Sequence, residues 1–218
     1  SQPGLDNQLV FDPQHGLDQL GEGGWGGDDG DPETPLMAVE VANVSTGTEL
    51  ALSLLVSNSG LHQDLADVIQ GSLGECGIGV DVNSMPSSEL YAPGPDGPLF
   101  GRGFDLALIS WQPMPDLDCR YYVTPKIPDE NNAWIGTNIA GLSDKNYDQS
   151  CSDAALALPE EFSKAVSDAE QSFLSEMPSI PLFSIPQVVV ASSDACSAGA
   201  FSSEIALFES LMFNDFCP

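Results

Sequence analysis

The chain is poor in basic residues. Five Lys and Arg stand against 33 Asp and Glu in 218 residues, a net charge of −28. So acidic a surface repels phosphate backbones and anionic lipid headgroups, which excludes nucleic acid and anionic membrane surfaces as partners. Histidine is scarcer still, with 2 in the chain. No apolar run approaches the roughly 20 residues that a membrane helix needs. No G-x-S-x-G, HExxH or P-loop motif occurs. Their absence removes the best-marked hydrolase, metalloprotease and nucleotide-binding classes. The 5 cysteines form no C-x-x-C pair, which argues against a zinc site. No signal peptide opens the chain, and Ser1-Gln2-Pro3 reads as a trimmed start.

What is present is ordinary for a folded protein. A hydrophobic fraction of 42% over this length allows one domain with a proper core, or one domain plus a tail. The acidic excess reads first as a solubilising surface; a preference for cationic ligands or a salty habitat is the sharper alternative. Widely spread cysteines suit disulfides in an exported protein better than redox catalysis.

Secondary structure is legible in several places. Asp12-Pro13 predicts a helix start, with Leu17 and Leu20 on one face and Gly21 able to end it. GEGGWGGDDGDPETP (21–35) reads as a loop. ELALSLLV (49–56) alternates like a strand. HQDLADVIQGSLGECGIGVDV (62–82) follows. There Leu65, Val68, Ile69 and Leu73 recur at helical spacing, and IGVDV supplies a second strand. Strand, helix and strand with short joints make a βαβ unit. FDLALIS (104–110) is a third, nearly all-apolar strand, as expected inside a parallel sheet. Asp144 predicts a helix to about Leu158. A second helix follows Pro159, with Phe162, Ala165, Val166, Ala169 and Phe173 on its buried face. IPLFSIPQVVVAS reads as an edge or crossing strand interrupted by prolines.

The ordered run ELALSLLV, HQDLADVIQGSLGECGIGVDV, FDLALISWQPMPDLDCRYY (104–122), IPDENNAWIGTNIAGLSDKNYDQSC (127–151) and AEQSFLSEMPSIPLF (169–183) resembles one family. It is similar to the C-terminal lobe of the solute-binding proteins that feed ABC transporters, in the oligopeptide/dipeptide/nickel-binding family. The similarity covers nearly the whole chain and weakens after about Ser192. It implies an α/β, type II periplasmic-binding-protein-like lobe, with a mainly parallel central sheet flanked by helices. It implies a lead-in helix and acidic Gly-rich loop over 1–47, a substrate-binding lobe over 48–177, and a return strand and tail over 178–218. The implied function is extracytoplasmic binding of a solute, a peptide or similar small polar molecule. The implied partners are an ABC permease and an N-terminal lobe of the same protein. Localisation would be periplasmic or cell-surface, with a lipid anchor on the full-length protein. No cofactor and no bond-breaking step is implied.

Candidate site residues follow from the same comparison. Ligands in open α/β sheets sit beyond the carboxyl ends of strands, and WQPMPDLD begins where FDLALIS ends. Trp111, Gln112, Met114 and Asp116 are therefore candidate contacts. In peptide-binding relatives an acid just after the equivalent Trp pairs with the ligand's α-amino group; here Gln112-Pro113-Met114 follows Trp111, a departure from that pattern, and the charge is offered by Asp116 or Asp118. Trp134 and Asn138 lie in NNAWIGTN, which resembles the family's N-x-x-G-x-N stretch. Packing of the lobe is the alternative role for both tryptophans. Cys119 and Cys151 flank the most family-like stretch and are the first expected disulfide; Cys196 with Cys217, neighbours in the tail, is the second. Cys76 is left over.

Two weaker signals complete the reading. Asp29, Asp31, Glu33 and Glu40 fall at EF-hand positions 1, 3, 5 and 12, but Thr34 replaces the turn glycine, so a solvated acidic loop is the expectation. His15 and His62 lie near helix starts, where surface or capping roles are expected. A sensor or interaction module that reuses the same lobe, and a calcium-stabilised secreted enzyme, are the alternatives to transport.

Overall fold

The structure is a computed structural model. It describes residues 11–27, 34–110 and 119–183, with the backbone of 195–196 and 212–213. The chain divides into two compact units: residues 1–110 with 125–139, and residues 111–124 with 140–218.

The first unit opens with helix α1, Pro13–Glu22. Asp12 caps it, its side chain accepting from the His15 amide, and Pro13 sits at the first helical position. The helix runs past Gly21, and Gly23 closes it. Strands β1 (Trp25–Gly26) and β2 (Met37–Ala38) pair antiparallel. Strand β3 (Ala51–Ser57), helix α2 (Gly60–Gly74) and strand β4 (Gly79–Met85) form the predicted βαβ unit. β3 and β4 run parallel with no slip, from Ala51 opposite Gly79 to Ser57 opposite Met85. A short helix α3, Ser87–Leu90, follows, and β5, Leu106–Ala107, pairs parallel on the other side of β3. The sheet order is β4–β3–β5, all parallel.

Both faces of this sheet are covered, which is why β3 is apolar without strict alternation. Leu54, Val56, Val80 and Leu108 meet Ala66 of α2, with Leu65, Ile69 and Leu73 packed around them. On the opposite face Leu55 joins Leu90, Leu99 and Ile139. Val68, expected on the buried face, is 64% exposed. With Ala66 at the contact and about 100° between successive residues, position 68 turns away from the sheet.

The third strand is shorter than FDLALIS suggests. Its ladder comprises Leu106 and Ala107, extended by the Leu108 amide donating to Leu55 O at 2.9 Å. At its amino end a side chain substitutes for pairing. The Asp105 carboxylate accepts from the Ser53 amide at 2.8 Å and from Ser53 Oγ at 2.7 Å, and the Asp105 amide donates to Ser53 Oγ. The bond from the Ser53 amide, then that from its hydroxyl, hold the Asp105 carboxyl below the ordinary carboxylate range. A depressed carboxyl contributes stability above its unfolded-state value and loses it as pH falls through the folded value. Asp105→Ala should therefore cost about 1 kcal/mol at neutral pH. The difference from wild type should shrink as pH falls through the depressed value of the folded state, as measured by urea unfolding across pH.

The second unit holds helices α4 (Lys145–Leu156) and α5 (Phe162–Glu176), packed on each other. Asp144 caps α4 by accepting from the Tyr147 amide, as the sequence suggested. Cys119 and Cys151 form the expected disulfide. It fastens a 3-10 turn, Cys119–Tyr122, to α4. Tyr147, 1% exposed, donates its hydroxyl to Cys119 O at 2.6 Å, and the Thr124 amide donates to Asp148. Tyr122 meets Phe173 edge-on, 5.2 Å between ring centres. The face expected for α5 is corrected in part. Ala169 is buried, but Phe162 is 53% exposed, because it begins the helix where the chain turns out of α4. Strands β6 (Ala195–Cys196) and β7 (Met212–Phe213) pair antiparallel. Cys217 lies outside the described residues, as does the side chain of Cys196. IPLFSIPQVVVAS is described only to Phe183.

Candidate functional site

The carboxyl edge of the three-stranded sheet in the first unit collects the most polar chemistry among the described residues. β3 ends at Ser57, and Ser59 caps α2 by accepting from the His62 amide at 3.3 Å. His62 is 9% exposed, and Ser57 is buried beside it. Ser57 Oγ lies 2.6 Å from Nδ1 of His62, and Ser110 Oγ lies 3.1 Å from Nε2. Ser57 Oγ also lies 3.2 Å from Ser59 Oγ. A neutral imidazole donates at one nitrogen and accepts at the other, and a hydroxyl does either, so every member can be satisfied. The surface role expected of His62 is thus corrected. Its backbone joins the cap, but its ring is enclosed and doubly hydrogen-bonded.

Sequence reading missed this set because its partners lie 5 and 48 residues from His62. A usable signal was present: SNSGLH places two serines and a histidine at a strand-to-helix joint, the point where α/β sheets gather polar groups.

Of the predicted contacts, Trp111, Gln112, Met114 and Asp116 lie outside the described residues. Trp134 and Asn138 are both in the first unit. Asp129 caps a 3-10 turn at Glu130–Asn132, and Ala133 and Trp134 follow with φ of 53° and 58°. That left-handed pair is uncommon for non-glycine residues. It lays the Trp134 ring on the 93–95 turn, where a Cβ on Gly94 would stand 2.8 Å from Cε3. Trp134 is half-buried. Asn138 is fully buried, its amide donating to Lys126 O, so a solute reaches it only if the 126–138 segment moves. Gly136 is required there, because a Cβ would come within 2.2 Å of Lys126 O.

A groove of about 490 Å³ lies elsewhere in the unit, at the amino end of β4, lined by Pro35, Gln70, Gly74, Ile78 and Val80. It is open, and the chemistry gathers at the opposite strand ends. No group of three or more metal-binding side chains occurs among the described residues. Asp29, Asp31 and Glu33 of the acidic loop are not among them. Cys76 is a free, half-buried thiol whose Sγ would stand 3.0 Å from a Cβ on Gly16. Among the described residues no helix is long and apolar enough to cross a membrane.

No family model and no curated protein matches the chain. Solved structures do match. The oligopeptide binding protein from Thermus thermophilus, complexed with a pentapeptide, aligns at TM-score 0.64 and 19% identity, over 79% of this chain and 30% of its own. NikA from Brucella suis, in complex with Fe(III)-EDTA, aligns at TM-score 0.63 and 19% identity, over 96% of this chain and 40% of its own. NikZ from Campylobacter jejuni, in complex with Ni(L-His), aligns at TM-score 0.59 and 21% identity, over 77% of this chain and 31% of its own. At these identities the likeness shows the fold. That fold is the one the sequence resemblance implied, the α/β architecture of type II periplasmic binding proteins. The chain spans between 30% and 40% of the length of these three structures.

Proposed function

We propose that this chain is one lobe of a two-lobe extracytoplasmic binder that takes up a small polar solute of the peptide class and presents it to an ABC permease. The observation that carries the reading is the partial-length fold match: a parallel β4–β3–β5 sheet with a polar carboxyl edge, aligning with about a third of each solute-binding neighbour. The solute is held between residues contributed by both lobes, and the contacts proposed from this chain are Trp111, Gln112, Met114 and Asp116. Asp116 supplies the charge that pairs with a ligand amine. Hinge closure of the lobes encloses the solute, and no bond is broken. The protein works outside the cytoplasm, held by a lipid anchor. An acidic surface fits that setting, since it opposes non-specific capture of anionic lipid or nucleic acid. Native mass spectrometry of the longer protein that contains this chain tests the reading through the small molecule it carries.

A further inference from the structure

We propose that Asn43 is a glycosylation site, accepting an oligosaccharide on its carboxamide nitrogen; this rests on the extracytoplasmic reading above. Asn43-Val44-Ser45 is an N-x-S sequon, with Val rather than Pro in the middle. No other asparagine in the sequence has Ser or Thr two positions later. The modification needs an exported chain, a reachable carboxamide and a hydroxyl two residues on.

The fold supplies the last two. Asn43 and Ser45 are both exposed, on the excursion 39–48 between β2 and β3. Consecutive turns build its tip: the Val44 amide donates to Val41 O at 3.3 Å, and the Thr48 amide to Ser45 O at 3.1 Å. Each turn has a positive φ at its third residue, 64° at Asn43 and 85° at Gly47. A left-handed backbone accounts for an asparagine at 43 without any modification. It does not account for Ser45. Among the described residues neither the Asn43 carboxamide nor the Ser45 hydroxyl has a hydrogen-bond partner; the side-chain bond in this loop runs from Thr46 Oγ1 to Val39 O at 3.4 Å. The base of the loop is held more tightly than its tip. The Ala38 amide donates to Thr48 O and the Gly47 amide to Ala38 O, both at 2.8 Å, and Ala38 is buried. The tip can therefore open into a transferase while the sheet stays intact. The loop leads into β3 at its amino end, so a glycan here leaves the polar carboxyl edge clear.

The step is a glycosyl transfer. Nδ2 of Asn43 attacks the anomeric carbon of a lipid-phosphate-linked oligosaccharide. A C–N bond forms, the C–O bond to the phosphate breaks, and the lipid phosphate leaves with that electron pair. One carboxamide proton passes to a base on the transferase. The Ser45 hydroxyl serves recognition, so threonine can replace it and alanine cannot.

The test uses the longer protein that contains this chain, isolated from the cells that make it and cleaved after glutamate. Peptide 41–49 then carries the whole sequon, between the cuts at Glu40 and Glu49. Its mass should exceed the sequence mass by a series of sugar residues attached at Asn43. Ser45→Ala should abolish the increment and Ser45→Thr should keep it, with the melting temperature unchanged in both because Ser45 is exposed. An increment that survives Ser45→Ala, or is lost in Ser45→Thr, overturns the assignment. Cell fractionation separates the two claims. A protein found outside the cytoplasm with an unmodified 41–49 peptide overturns the glycan and leaves the solute-binding reading standing. A protein found in the cytoplasm overturns the extracytoplasmic reading, and the glycan with it.

Discussion

Replacing Cys119 and Cys151 by serine is expected to destabilise the second unit by about 3–4 kcal/mol. The bond closes a loop across a sequence separation of 32 residues, and freeing that loop returns its conformational entropy to the unfolded chain. The 3-10 turn at Cys119–Tyr122 has no buried residue of its own. It is fixed by Tyr147, whose hydroxyl reaches Cys119 O, and by Tyr122, which donates to Ser179 Oγ and meets Phe173. Reduction should therefore lower the melting temperature of this unit while leaving the β3–β4 amides protected. Calorimetry with and without reductant measures it. A change below about 1 kcal/mol would mean that the tyrosine contacts hold the turn unaided.

Leu54→Ala is expected to cost about 2–5 kcal/mol, and Val68→Ala less than about 0.5 kcal/mol. Leu54 is buried at the centre of the sheet, between β4 and β5 and under α2. Val68 is on α2 but faces away from the sheet. The pair tests which stripe of α2 is buried, because hydropathy alone ranks the two side chains as similar. Chemical denaturation of each variant gives both values. Equal losses would place Val68 in the core and turn the helix from the orientation described.

The contrast between these residues shows what could be read from the sequence. Long elements with a clear period were legible: β3, α2 and β4 emerged as a βαβ unit, and Asp12 and Asp144 marked their helix starts. The disulfide at Cys119 and Cys151 followed from the resemblance and stands in the structure. Period alone could not tell Val68 from Ile69, since one helical stripe is about as wide as the difference between them. It also could not show that FDLALIS pairs over two residues, because ladder length depends on the neighbouring strand and on Asp105 and Ser110 at its ends. His62 was read as a surface group for the same reason. Its partners are brought to it by the fold, across 48 residues in the case of Ser110. At the candidate site, Trp134 and Asn138 are in the unit that carries the polar sheet edge, Trp134 half-buried and Asn138 enclosed. The burial of Asn138 depends on Gly136 and Lys126 meeting closely, which no local pattern announces.

The central claim is that this chain supplies one wall of a two-walled solute site. Native mass spectrometry of the longer protein, purified without denaturation and compared with the 218-residue chain alone, tests it most directly. The account predicts one small peptide-class molecule bound per longer protein, released on denaturation, and none retained by the chain alone, because half of the pocket is then missing. A chain that retains the solute as firmly by itself would contradict the two-lobe account, and a longer protein that neither carries nor captures any small solute would contradict the function.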